Sequence, residues 1–238
     1  LVSDVFNDLP NWKLDGTSLV ELFREFKISA LNAGVDDISY LVGASGKGGY
    51  FDIIAPPTAK RLNKGDIFML DTGCVWDGYF SDFDRNFALG YASDEAIEAH
   101  ERLIDATNAA VNSIRPGVTR SKDLFLTMSE ILYPDEDPLK LKVNEVGRMG
   151  HGLGIQLTEP PSHTSWDETV ILPGMVLTVE PSIIYGDERY LMVAEENIFV
   201  TYDREFEGHE ITYFVKPIRD GEIISTEGAS LQAFHTYV

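Results

Sequence analysis

Residues 66–89 read DIFMLDTGCVWDGYFSDFDRNFAL, two β-rich runs on either side of Asp77-Gly78. An Asp-Gly pair supplies the positive-φ positions of a two-residue turn whose twist matches the flanking strands, so this stretch predicts a tight hairpin. The turn brings Asp71 and Asp82 from separate runs to one spot on facing strands. Carboxylates crowded together repel unless cations neutralise them, so the hairpin is also the first sign of a metal site.

Working outward, a second hairpin is expected from MVLTVEPSII (175–184) and YLMVAEENIFVTY (190–202), with Gly186-Asp187 between them in turn composition. It carries Glu180, which ends an apolar run just before Pro181, and Glu195, inside the other run. His151 sits in GHGLG, where flanking glycines admit close approach to the imidazole. Helices are predicted before and between the hairpins. One covers 17–33, with Leu19, Leu22, Phe23, Phe26 and Ile28 at helical spacing, Thr17 or Ser18 as N-cap and Gly34 as stop. A second follows Ser93 to about Ile114 and ends at Arg115-Pro116-Gly117, and a third runs from about Ser121 to Leu132. GASGKGG (43–49) has no Ser or Thr after Lys47 and opens no helix, so it reads as a turn or loop and not a nucleotide site. The stretch from Ser225 to Val238 has no strong pattern and reads as a tail or packing arm. Two hairpin-bearing halves with helices around them give an α+β class, helices on antiparallel sheet, and not the strand-helix alternation of a doubly wound fold.

At 238 residues the chain is expected to be a single domain, and a first residue other than methionine suggests a piece of a longer product. The formal charge of −20 argues against nucleic acid or anionic membrane as partner, because both require a basic surface. The sequence has no apolar run of membrane-span length and no signal-peptide pattern at its start, so a cytoplasmic protein is expected. The single cysteine, Cys74, among Leu70, Val75 and Trp76, reads as a buried hydrophobe on a strand.

Singly, each of Asp71, Asp82, His151, Glu180 and Glu195 has a structural explanation, since turn-capping and core polar residues are common. As a set they are four carboxylates, whose charge two divalent cations neutralise, plus one neutral nitrogen donor. Oxygen-rich ligation with one imidazole suits two ions of manganese, iron or cobalt, with zinc also compatible, held roughly 3.5–4 Å apart and activating a water.

These stretches resemble, in order, the motifs of the methionine aminopeptidase, Xaa-Pro aminopeptidase, prolidase and creatinase superfamily. DTGCVWDGYFSDFDRNFALG is similar to the stretch with the first two ligand aspartates, and GHGLGIQLTEPPS to the one with the ligand histidine. MVLTVEP and VAEENIFVT are similar to those with the two glutamates. The resemblance implies the pita-bread fold, a catalytic domain over 1–238 with a further N-terminal domain preceding it, and a homodimer. It also implies that Asp82 and Glu195 bridge the ions, with Glu195 rather than Glu196 as ligand, and that the substrate is a small molecule or short peptide cleaved at an amide or related bond. Two histidines that the family's peptidases use around the substrate carbonyl fall here at about Ile54 and at Thr158, which puts Xaa-Pro cleavage in question. His163 either substitutes in part or is a surface-loop residue. Glu159 remains as an acid–base or ligand-orienting carboxylate. Asp84, where the family often has Thr, orients a ligand or meets a cationic substrate. Tyr79, Phe83 and Trp166 are expected near the approach. The wording around GLGIQLTEPPS looks nearest to ectoine hydrolase and dimethylsulfoniopropionate lyase, so a lyase acting on a zwitterion is the alternative, beside a true Xaa-Pro aminopeptidase. With all five ligands present, a metal-free creatinase mode or a non-catalytic binding module is disfavoured.

Overall fold

The computed structural model describes residues 1–141 and 147–200, together with the backbone of 211–213, 223–226 and 229–233. Its first half opens with α1 (Val2–Asp8) and α2 (Leu19–Ala33). Ser18 caps α2: its hydroxyl accepts the Glu21 N–H, and the Glu21 carboxylate accepts the Ser18 N–H in return. Gly34, at φ 103°, ends the helix in the left-handed region that glycine tolerates. Leu19, Leu22, Phe23, Phe26 and Ala30 form the buried stripe, whereas Ile28 lies off it and is exposed.

The strands of this half are β1 (Asp37–Ile38), β2 (Val42–Lys47), β3 (Asp66–Thr72), β4 (Cys74–Trp76), β5 (Tyr79–Phe80) and β6 (Phe83–Leu89). The expected hairpin forms, with Asp77 and Gly78 both at positive φ, but it does not run straight. Its base, β3 with β6, belongs to one sheet, and its tip, β4 with β5, pairs instead with β1. The loop expected at 43–49 is corrected: Val42–Lys47 is strand β2, paired antiparallel with β3. Its glycines allow close packing, since a Cβ on Gly43 would meet the Phe23 ring at 2.7 Å.

Helices α3 (Asp94–Ser113) and α4 (Ser121–Leu132) lead to the second half. Ser93 caps α3 through the Ala96 N–H. There β7 (His151–Gly152), β8 (Glu159–Ser162), β9 (Val176–Val179), β10 (Ser182–Tyr185), β11 (Tyr190–Val193) and β12 (Glu196–Val200) are followed by β13 (Ile211–Tyr213), β14 (Ile223–Thr226) and β15 (Ala229–Ala233). The second hairpin breaks like the first. Its base, β9 with β12, lies in a five-stranded sheet of order β13-β12-β9-β7-β8, and its tip is the separate ribbon β10-β11. The other five-stranded sheet has the order β14-β15-β6-β3-β2. Part of the segment read as a patternless tail is thus strand; the rest of 225–238 lies outside the described residues.

Alternation along β3 decides what each sheet face covers. Phe68 and Leu70 point to α1 and α2, where Phe6, Phe23, Phe26, Phe87 and the buried Cys74 pack with them. Ile67 and Met69 point the other way, into a core with Leu103, Ala106, Leu124, Met128, Leu177 and Ile198. The class is α+β, with every strand pair among the described residues antiparallel, as the hairpins predict. No helix among the described residues is long and apolar enough to cross a membrane. Leu103 is fully buried on α3, so Leu103→Ala is expected to lower unfolding free energy by about 2–5 kcal/mol in a urea titration. Loss below about 1 kcal/mol would mean that α3 does not seal this core.

Candidate metal centre

Both hairpin breaks place carboxylates. At the first, Gly73 lies so close to the opposite arm that a Cβ there would sit 1.6 Å from the Ser81 carbonyl oxygen. Only glycine permits this approach, and it brings Asp71, two residues before it, toward Asp82, just after Ser81. At the second break, Glu180 follows β9 and Glu195 precedes β12. The two breaks meet where Asp84 forms a bridge with Glu195.

Side chains lock this junction. Asn197 grips the backbone of Asp82 from both sides, accepting its N–H at 3.0 Å and donating to its carbonyl. Arg85 donates to the Glu195 carbonyl at 2.8 Å and pairs with the Glu196 carboxylate at 2.7 Å, both side chains being almost wholly buried. Its guanidinium also lies over the rings of Phe6 and Phe83. Asn86 donates to the Val193 carbonyl and accepts from the Tyr50 hydroxyl at 2.6 Å. Neighbouring residues on an extended strand face opposite sides, so with Glu196 turned to Arg85, Glu195 turns to the aspartates.

His151 is set by β7, where its N–H donates to the Thr178 hydroxyl. A carbonyl only accepts, so the 2.8 Å contact of Nδ1 with the Gly152 oxygen fixes the proton on Nδ1. Nε2 lies 3.4 Å from Asp82 Oδ2. Asp82, His151 and Glu195, all buried, offer donor atoms that lie within 4.8 Å of one another.

Asp71 and Glu180 are not members of that group of three, but they act on it. Burial first, then repulsion from Asp82, pushes the Glu180 carboxyl up to about 7, opposed by His151 and Arg148. The Glu195 carboxyl is held well above the usual carboxylate range by burial and by Asp82, Glu180, Asp71 and Asp84. Asp71 is raised by burial and by Glu180. Asp84 is raised by burial, then by Asp71 and Glu180. Among the described residues, Glu195 Oε1 and Asp84 Oδ2 have no hydrogen-bond partner. Buried carboxylates that repel one another, two orphaned oxygens and an imidazole nitrogen together form a donor set that fits divalent cations.

The acid–base candidates fare differently. Asp84 lies at the centre, directly across from Asp71 in the β3–β6 ladder. Glu159 does not reach the group of three: its carboxylate accepts the Gln156 N–H at 2.8 Å and closes a local turn. His163 is not a surface-loop residue but fully buried, 2.7 Å from the Ser121 hydroxyl at the start of α4. Phe83 packs on the α1 side of the sheet, and with Tyr79, Trp76 and Leu153 lines a pocket of about 390 Å³ there. Trp166 is largely exposed. Tyr40 and Asn197 went unrecognised in the sequence, and Arg85 was marked only as part of the first motif. Tyr40 precedes β2, and its hydroxyl touches both Asp71 Oδ1, at 2.5 Å, and Asp82 Oδ1. No local pattern marks it.

With this geometry in place, the chain belongs to metallopeptidase family M24, whose sequence model matches residues 1–202. It is 33% identical over 195 residues to the putative dipeptidase YkvY of Bacillus subtilis, covering 79% of this chain and 50% of that protein. It is also 33% identical over 126 residues to the Xaa-Pro dipeptidase of Pyrococcus furiosus, covering 52% of this chain and 34% of that one. Among solved structures, a dipeptidase from Pyrococcus horikoshii OT3 superposes with a TM-score of 0.76 at 26% identity, over 90% of this chain and 56% of that one. The prolidase from Pyrococcus furiosus, at 23% identity and a TM-score of 0.76 over 91% of this chain and 61% of that one, shares the fold. The pita-bread fold implied by the sequence motifs is therefore the one observed. The chain spans about half the length of the curated relatives it matches.

Burial, then the neighbouring His151, lowers the His163 pKa from 6.5 to about 4. The unfolded chain takes up that proton first, so this contribution to stability is complete above about pH 6.5 and is lost as pH falls toward 4. Replacing the ring by an amide, His163→Gln, is expected to flatten the fall in urea midpoint between pH 6.5 and 5. Parallel profiles for the two proteins would mean that His163 titrates normally.

Proposed function

We propose that this chain is the catalytic unit of a dinuclear metal-dependent hydrolase that cleaves an amide bond in a short peptide or peptide-like small molecule. Asp71, Asp82, His151, Glu180 and Glu195 hold two divalent ions of manganese, iron or cobalt, with Asp82 and Glu195 shared between them. The observation that carries this reading is the buried convergence of Asp82, His151 and Glu195 from two separate hairpins and β7, with one Glu195 oxygen orphaned. The names of the dipeptidase relatives support amide hydrolysis.

When bound, such ions supply a water nucleophile at neutral pH and polarise the substrate carbonyl. The chain's own part is positional. The Gly152 carbonyl holds His151 in the tautomer that presents Nε2. Asn197 and Arg85 fix the backbones of Asp82 and Glu195, so the carboxylates need no rearrangement as charge develops. Asp84, directly across from Asp71 and with Oδ2 unpartnered, is the side chain placed to hold or hand over a proton at the centre. His163 stays neutral and joins α4 to the strand segment beside the site.

The two positions where family peptidases carry histidine are occupied by Ile54 and Thr158, both exposed. Proton transfer by a placed side chain is worth about 10²–10⁴-fold, so turnover of Xaa-Pro dipeptides is expected to be weak, and Ile54→His with Thr158→His is expected to raise it. A panel of dipeptides, cyclic amidines and sulfonium zwitterions tests the class; turnover of the zwitterions alone would replace the hydrolase by a lyase. Efficient Xaa-Pro cleavage by the unchanged chain would overturn the weight placed on the missing histidines. A homodimer in a cytoplasmic setting completes the reading, and light scattering at micromolar concentration tests the dimer.

The adjacent glutamates separate ligand from scaffold. Glu195→Gln is expected to abolish activity and most metal uptake with little change in melting temperature. Glu196→Ala strands Arg85 with a buried, uncompensated charge and is expected to cost about 3–5 kcal/mol of stability. If Glu195→Gln retained more than a tenth of the wild-type rate, that residue would leave the bridge.

A further inference from the structure

Among the described residues, the two five-stranded sheets end differently. β8 closes one of them, and two of its four residues are Pro160 and Pro161, which have no N–H to offer a further strand. β2 closes the other and keeps every donor, its sequence being VGASGK. The Gly43 N–H points away from β3 and donates to the Ala55 carbonyl at 2.9 Å. Successive residues of an antiparallel strand alternate in the neighbour that their N–H and C=O face, so Ser45 and Lys47 also face outward. The Lys47 carbonyl accepts from the Tyr190 hydroxyl at 3.1 Å. Between these two contacts, the Gly43 carbonyl, the Ser45 N–H and carbonyl and the Lys47 N–H have no partner among the described residues.

This open edge forms one wall of a groove of about 470 Å³. The turn that ends β2 is tied to the β10–β11 ribbon twice, because the Tyr185 hydroxyl also donates, to the Gly48 carbonyl at 3.0 Å. Phe51, 65% exposed, lies against Tyr190 with ring centroids 5.0 Å apart and gives the groove an apolar wall. Lys47 and Lys60 give it charge; both are exposed, and neither has an ion-pair partner among the described residues. The nearby acids are turned elsewhere: Asp52 accepts the Ile54 N–H at 2.8 Å, and Asp66, across from Lys47, accepts the Asn63 N–H at 2.9 Å. In a chain of net charge −20 this is a local reversal of sign. Exposed charges more than about 8 Å away are screened at physiological salt, so the two lysines set the field in the groove. The metal centre is elsewhere. Val42 is the residue across from Asp71, and at about 3.3 Å per residue Ser45 to Lys47 lie roughly 10–17 Å farther along the strand.

We propose that the outer edge of β2 is a docking site for an extended acidic peptide segment of a partner protein, which adds to this sheet as a further strand. Its backbone pairs with the open groups of Gly43, Ser45 and Lys47, its carboxylates meet Lys47 and Lys60, and an apolar side chain covers Phe51. Backbone pairing supplies affinity, and the lysines select the sequence.

Fluorescence polarisation with a labelled, terminally blocked peptide of sequence Asp-Val-Asp-Val-Asp tests the site. The wild type is expected to bind it saturably, and a peptide with lysine in place of each aspartate not to bind. Reversing both charges, Lys47→Glu with Lys60→Glu, is expected to weaken binding about tenfold. N-methylation of alternate peptide residues removes donors without altering the protein, and one of the two possible alternating patterns is expected to bind about tenfold more weakly. Circular dichroism checks the fold of the charge-reversed protein, and the N-methylated peptides decide the matter on wild type alone if that variant folds poorly. No saturation up to about 1 mM peptide overturns the proposal. Equal affinity for both N-methylated peptides overturns it too, since the contact would then be charge alone. Binding that survives the double reversal places the peptide elsewhere, the carboxylate cluster included. Self-association lost in the double reversal, without peptide binding by the wild type, gives the edge to a second copy of the chain and overturns the proposal as well.

Discussion

Five carboxylates, from Asp71, Asp82, Asp84, Glu180 and Glu195, stand within one another's electric field in the interior of this protein. Out of water, like charges at such range cost several kcal/mol each, and a chain has only three remedies: protonation, movement apart or a cation. Movement is blocked, because the backbones that carry them are clamped by Asn197, Arg85 and the Gly73 approach. Protonation is the remedy expressed in the raised pKa values of Asp71, Asp84, Glu180 and Glu195. The proposed ions would reverse those shifts. Repulsion held in place by a rigid frame is thus the constraint around which the rest of the molecule is arranged.

That frame has a simple logic. Each half contributes a hairpin that starts in a five-stranded sheet and leaves it partway along. A regular hairpin would hold its side chains on two flat faces, half of them toward a helix layer. A broken one turns the residues at the break out of the ladder, so charged groups can sit deep in the fold without displacing the apolar rows that seal the core. The apolar rows themselves are conventional: Phe68 and Leu70 against α1 and α2 on one side, Ile67 and Met69 against the α3–α4 core on the other. The ion pair of Arg85 with Glu196 ties the two halves on the face opposite the carboxylate cluster, so charge is balanced there internally and left unbalanced where ligands are needed.

Much of this was legible in the residues. Asp77-Gly78 announced the first hairpin because few residue pairs accept two consecutive positive φ angles. Ser18, Gly34 and Ser93 marked helix ends because a short hydroxyl satisfies an orphan N–H and glycine alone enters the left-handed region freely. The glycines of 43–49 misled, since close packing of β2 beneath Phe23 calls for the same small residue as a turn does. His163 also misled: a histidine after two prolines resembles a loop residue, and only the arrival of α4 with Ser121 buries it. Asn197 and Tyr40 gave no signal, because each acts on a partner far away in the chain; Asn197 and Asp82 are 115 residues apart.

By itself, then, the sequence determined the local conformations, the α+β class and the identities of the acidic residues available to a metal, because turn, cap and alternation rules depend on neighbours a few positions away. Which of those acids would share one point was decided by the tertiary structure. Glu195 and Glu196 are adjacent and chemically alike, yet one faces the aspartates and the other an arginine, and Glu159 is spent on a turn of its own. Their fates depend on where two broken hairpins cross. That crossing is set by long-range packing and by a missing Cβ at Gly73, whose effect is felt only when the Ser81 carbonyl arrives from the opposite strand.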